Sequence, residues 1–162
     1  MTDYSLLNAQ LVSLLEDEPD RTANLANAAA LLKAELPEVN WAGFYFVGPS
    51  RDGGTQELIL GPFQGLPACI RLPSNQGVCG TAWARNESLV VPDVHGFPGH
   101  IACDSASESE LVVPLRSPSG TVIGVLDLDS PVKGRFADED RRGLEDFCRI
   151  LETRLDGLPQ AL

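Results

Sequence analysis

The sequence predicts an α+β domain, and three observations carry that prediction. Two stretches of helical periodicity open the chain, two strand pairs with glycine-containing turns follow, and one amphipathic helix closes it. Strands that run consecutively between helices favour a central antiparallel sheet, with helices on one face and loops on the other.

Leu7, Leu11, Leu14 and Leu15 stand at i, i+4, i+7 and i+8, the stripe of a first helix. After a break near Pro19, the spacing of Leu25, Ala28, Ala29, Leu32 and Leu36 gives a second. "VNWAGFYFV", residues 39–47, is aromatic and β-branched, and "SRDGGTQ" turns it into a partner strand, "ELILGPF". Residues 65–109 read as irregular apart from one short helix around "GVCGTAWARN". Long ordered loops in compact domains are usually functional, so a site is expected there. "ELVVPLRS" and "TVIGVLDLDS", joined by "PSG", form a second hairpin. The last helix starts near Asp138 with three acids in its first turn, as the helix dipole favours. Its stripe is Leu144, Phe147, Leu151 and Leu155, and Gly157 is the expected stop. With no repeat or linker, 1–162 reads as one domain.

Composition narrows the function. At 162 residues and 43% hydrophobic content the chain is long enough to bury a core without staples. There is no run of about 18 apolar residues and no basic, apolar leader, which predicts a soluble cytoplasmic protein. A net charge of −11 without a basic cluster argues against nucleic acid or an anionic membrane as partner.

Four cysteines, at 69, 79, 103 and 148, would in a reducing compartment serve metal binding or transient redox chemistry rather than permanent staples. Cys148 follows Phe147 on the last helix and reads as core. Cys103 stands among small and polar residues in "GHIACDSAS", outside any apolar periodic run, which leaves open a structural thiol or a reactive one that needs access. Three chemistries are open to the loop cysteines. Zinc would need His95, His100 and Cys103 with Cys69 or Cys79, but no CxxC or HxxxH spacing supports it. A Cys/His hydrolase would pair Cys103 with His100 or His95, without an evident orienting group. Thiol redox catalysis fits best, with one thiolate attacking and a second thiol resolving the sulfenic acid. Period two puts Ile123, Val125, Asp127 and Asp129 on one strand face, where the two acids either meet a site or form a solvated strand end. Trp41 and Tyr45 likewise share a face, as pocket wall or as core.

The strings "NWAGFYF", "LGPFQGLPACIRLP", "GVCGTAWA", "VPDVHGFPGHIACDSASESELVVPL" and "GVLDLDSP", in this order, closely resemble the free methionine-(R)-sulfoxide reductases, which are stand-alone GAF-domain proteins. The resemblance covers about 41–136, and the cysteine steps of 10 and 24 residues match that family's redox positions. It implies a GAF fold with a loop-built pocket and thiol-dependent reduction of free L-methionine (R)-S-oxide, with no cofactor or resident metal. It assigns Cys103 as nucleophile, Cys69 as principal resolving cysteine and Cys79 as a further thiol in the exchange. Trp41, Tyr45, Glu110, Asp127 and Asp129 fall on its substrate-pocket positions. Thioredoxin or a similar dithiol protein is the implied reductant, and a homodimer is compatible with the reading. The competing class is a non-catalytic GAF module that binds a ligand or senses redox state.

Overall fold

The structure, a computed structural model, describes residues 1–101 and 103–155. Helices α1 (Tyr4–Leu14) and α2 (Arg21–Glu35) lead into strands β1 (Trp41–Pro49), β2 (Gln56–Gln64) and β3 (Arg71–Pro73). Helix α3 (Gly77–Arg85), β4 (Leu89–Val91) and a 3₁₀ turn (Val94–Gly96) follow, then β5 (Ser109–Arg116), β6 (Val122–Ser130) and α4 (Asp138–Glu152). The antiparallel sheet runs β3-β2-β1-β6-β5-β4. Both expected hairpins are present, and β1 pairs with β6 to make the centre.

The alternation of side chains along these strands divides the interior in two. Ala42, Phe44 and Phe46 of β1, Leu111, Val113 and Leu115 of β5, and Leu126 and Leu128 of β6 face α1, α2 and α4. The other face carries Trp41, Tyr45, Val112 and Val125, covered by Val78, Cys79 and Ala82 of α3 and by loops. Helix α3, the short helix expected among the loops, lies with them on the loop-bearing face. The expectation needs correction in two places. Residues 65–109 also hold β3 and β4, edge strands of three residues each, too short to show alternation. Ile123 packs against the helix-side core rather than with Val125, because the β5–β6 register shifts between Leu115 and Arg116 and resets the alternation at the strand's start. Helix α4 ends at Glu152, and the expected stop at Gly157 lies outside the described residues.

The helix ends follow local chemistry. The Leu6 N–H donates to the Asp3 side chain at 3.0 Å and the Ala23 N–H to that of Asp20 at 2.8 Å, capping α1 and α2. Asn86 ends α3 in the left-handed conformation at φ 53°. Asp140 joins three segments: Tyr4 Oη donates to it at 2.6 Å, the Ala137 N–H at 2.7 Å and Arg135 at 3.3 Å. Among the described residues, no helix is long and apolar enough to cross a membrane.

The contact between α1 and α4 depends on Gly143. A methyl group there would overlap the Tyr4 ring, whose Cδ2 lies 2.6 Å from the Cβ position. Two effects oppose each other on substitution by alanine. Helix propensity favours it by ~1 kcal/mol, and overpacking opposes it by about 1–3 kcal/mol. Tyr4 is fixed by its bond to Asp140, so overpacking wins and Gly143→Ala should lower stability in denaturant unfolding. In a Tyr4→Ala background the same change should stabilise, since only the propensity effect remains.

Candidate functional site

The pocket-bearing face begins with two aromatic residues at the centre of the sheet. Trp41 opens β1 and Tyr45 follows four residues later on the same face, their ring centroids 5.9 Å apart. Phe63 of β2 also stacks on Trp41, with ring centroids 5.2 Å apart. Each also holds the incoming loop: Trp41 Nε1 donates to Leu66 O at 3.1 Å, and Tyr45 Oη to Cys69 O at 2.9 Å. The polar end of each aromatic therefore fixes the segment that carries Cys69, while the rings form the wall.

Cys69 and Cys103 are joined by a disulfide, with Cα atoms 5.5 Å apart across 34 residues of sequence. Cys103 faces a pocket that it shares with Trp41, Tyr45 and Cys79, while Cys69 is not among the described residues lining it. The loop before Cys103 is tied to α3, where the Gly77 N–H donates to Gly99 O at 3.1 Å. Gly77 has φ +63°, a conformation that favours glycine, and Ile101 packs against it. The Cys103 N–H donates to Ile101 O at 3.0 Å, so it is not free for a ligand carboxylate in this state.

Glu110, Asp127 and Asp129 line the same pocket as Cys103. Sheet register puts them together: Glu110 pairs with Asp129 across β5 and β6, and Asp127 lies two residues along the same face. Both strand acids therefore meet the pocket and are not a solvated strand end. Glu110 and Asp127 are buried and share a hydrogen bond. No Lys or Arg is among the described residues lining the pocket. Burial pushes the Asp127 carboxyl up to about 6, against the lowering effect of bonds from Cys79, Glu110 and the Leu128 N–H. Glu110 and Asp129 are raised well above the usual carboxylate range, first by burial and then by the neighbouring negative charges. Asp127 Oδ1 is buried without a partner. A bare acceptor amid crowded carboxyls suits a cationic, hydrogen-bond-donating group.

Cys79 projects from α3 into this cluster, its Sγ 3.8 Å from Glu110 Oε1. Burial, reinforced by Asp127 and Glu110, raises its thiol well above the ordinary value, so it stands as a protonated thiol rather than a ready nucleophile. Cys148 is 1% exposed on the far side of the sheet. The proposed zinc set is not assembled: Cys69 and Cys103 are bonded to each other, and His95 sits with Asp93 and Glu108 while His100 lines the pocket.

Sequence reasoning missed the polar link behind Cys103. Asn40 Nδ2 donates to Asp104 Oδ2 at 3.0 Å and to Ser107 Oγ at 3.3 Å, tying the segment after Cys103 to the start of β1. The Ala106 N–H donates to Asp104 Oδ1 at 2.8 Å, an Asx turn that "DSAS" could have signalled.

The GAF domain family model matches residues 7–155. The chain is 56% identical to the Bacillus subtilis protein YtsP over 94% of its own length and 91% of that protein. It is 50% identical to the Escherichia coli free methionine-R-sulfoxide reductase, covering 94% of this chain and 88% of the other. The crystal structure of the Neisseria meningitidis free methionine-R-sulfoxide reductase in complex with its substrate is similar at a TM-score of 0.87 and 46% identity, over 94% of this chain and 88% of that one. A disulfide facing a carboxylate-lined pocket, on a sheet matched over nearly its whole length, places this chain among the GAF-domain proteins of the free methionine-R-sulfoxide reductase family.

Proposed function

We propose that this protein reduces free L-methionine (R)-S-oxide to L-methionine, and that residues 1–162 act as one unit in doing so. The observation that carries the reading is a disulfide whose Cys103 end faces a pocket walled by three carboxyls and two aromatic rings. Cys103, as thiolate, attacks the substrate sulfur while a raised carboxyl of the cluster gives its proton to the departing oxygen. The protonated oxygen passes from the substrate sulfur to Cys103 Sγ as the transient bond between the two sulfurs breaks, so that methionine leaves as the thioether and Cys103 becomes a sulfenic acid. Cys69 then attacks Cys103 Sγ, forming the disulfide and releasing water. Cys79, protonated and bonded to Glu110, is a reserve thiol for the same exchange.

Specificity follows from charge. Glu110, Asp127 and Asp129 surround the free α-ammonium, a group that an internal peptide methionine lacks, and Trp41 covers the methyl group with Tyr45 beside it. A dithiol protein such as thioredoxin returns the disulfide to two thiols. A reducing cytoplasm is the compartment that suits this cycle.

The direct test is consumption of free and peptide-bound sulfoxide epimers with dithiothreitol as reductant. Turnover of the free (R) epimer alone is expected, and consumption of neither free epimer would refute the proposal. Cys103→Ser should abolish even a single turnover. Cys69→Ser should allow one turnover and block thioredoxin-supported cycling, as rapid-quench measurement of methionine would show.

The acids give a second, opposite-signed readout. A carboxyl whose folded pKa is raised holds its proton where the unfolded chain, near 4, has lost it. Its contribution to stability is thus present at low pH and is lost as pH rises through the folded value. For Asp127 the interval from 3.8 to about 6, at ~1.4 kcal/mol per pH unit, amounts to a few kcal/mol. His100, pushed down by burial, acts in the other direction below about pH 6.5. Comparing variant with wild type removes its effect. Asp127→Asn should therefore raise thermal stability at pH 8, with an advantage that fades towards pH 5, while lowering kcat/KM on the order of 100-fold. A variant neither more stable nor less active would remove Asp127 from this role.

A further inference from the structure

The disulfide has two ends with different surroundings. Cys103 faces the pocket, whereas Cys69 lies in the run Gly65–Leu66–Pro67–Ala68–Cys69–Ile70, which has no charged side chain in a chain of net charge −11. Leu66 and Ile70 are 64% and 59% exposed, and neither packs against either core cluster. Single exposed aliphatics are ordinary. These two straddle the cysteine of a disulfide that must be reopened in every cycle.

Main-chain bonds hold this run independently of those side chains. Leu66 O accepts from Trp41 Nε1, Cys69 O from Tyr45 Oη at 2.9 Å, and Ile70 O from the Leu60 N–H at 2.9 Å. The carbonyls are turned to the sheet and the two alkyl groups are left to solvent. No folding role accounts for them.

Thiol–disulfide exchange adds a directional constraint. An attacking thiolate approaches along the S–S axis from the side opposite the leaving sulfur. Among the described residues Cys103 lines the pocket and Cys69 does not, so a folded protein too large to enter the pocket meets the disulfide at its Cys69 end. Attack on Cys69 Sγ comes from the side away from Cys103. Building on the reductase reading above, we propose that residues 65–70 form the docking edge for the reducing dithiol protein, with Leu66 and Ile70 as its apolar contacts and Cys69 Sγ as the atom attacked.

The partner's thiolate bonds to Cys69 Sγ, the Cys69–Cys103 bond breaks, and its electron pair leaves with Cys103 as a thiolate facing the pocket. The partner's second thiol, deprotonated, attacks the partner's own sulfur in the mixed disulfide. Cys69 leaves as thiolate and takes up a proton, and the partner departs oxidised by two electrons. The partner so recognised exposes its reactive cysteine within an uncharged, apolar rim.

The test follows reduction of the Cys69–Cys103 disulfide itself, by alkylation and mass, with no sulfoxide present. With thioredoxin as reductant, the Leu66→Ser, Ile70→Ser double variant should be reduced about 10-fold more slowly than wild type, equivalent to ~1.4 kcal/mol of lost contact. With dithiothreitol the two should agree within about twofold, which also reports an intact fold. In a second experiment on the wild-type protein, thioredoxin lacking its resolving cysteine should be trapped on Cys69 by peptide mapping. Thioredoxin rates equal in variant and wild type, or trapping on Cys103, would overturn the proposal. Failure of wild type to consume free sulfoxide while both disulfide results hold would refute the substrate assignment and leave the docking edge standing.

Discussion

The antiparallel register of β5 against β6 sets two carboxylates side by side and buries a third close to them, and the rest of the site is arranged around that fact. Glu110 lies directly across from Asp129, an arrangement that cross-strand energetics disfavours when both are charged. Their elevated pKa values are the physical response, because protons remain where charges would repel. The same crowding holds protons on the cluster and leaves a cavity whose electrostatics a cation would complete. The stability lost in holding these groups together is offset by the two hydrophobic layers on either side of the sheet.

The loop that carries Cys103 is restrained from two directions. Gly77 of α3 holds Gly99 on one side of Cys103, and Asn40 at the start of β1 holds Asp104 on the other. Both anchors belong to elements fixed by the core, so a chain segment with little regular structure is still located relative to Cys69 and the acids. Trp41 and Tyr45 serve the same end at Leu66 and Cys69, since their polar atoms position the loop that carries Cys69.

Much of this was legible because it is periodic or local. Alternation along β6 put Asp127 and Asp129 on one face, the helix stripes gave α1, α2 and α4, and the small residues around Cys103 set it outside any periodic run. What was hidden has physical reasons. Three-residue edge strands such as β3 and β4 carry no measurable period. The bulge beyond Leu115 broke the alternation at Ile123. Helix α3 covers the pocket face with small residues, Gly77, Cys79, Gly80 and Ala82, which look the same from sequence whichever layer they join. The Asn40–Asp104 bond spans 64 residues and leaves no local trace.

The sheet also acts as a partition between thiols. Cys69, Cys79 and Cys103 belong to one layer, and Cys148, inside the other, has the central strands between it and them. Four cysteines could in principle pair fully in three ways, but all three use Cys148 and so require the folded chain to open. An oxidant reaching the pocket can therefore exchange bonds only among the three thiols of that layer. The folded chain keeps its disulfide-bonded states few, through the placement of a strand layer rather than through the reactivity of any sulfur.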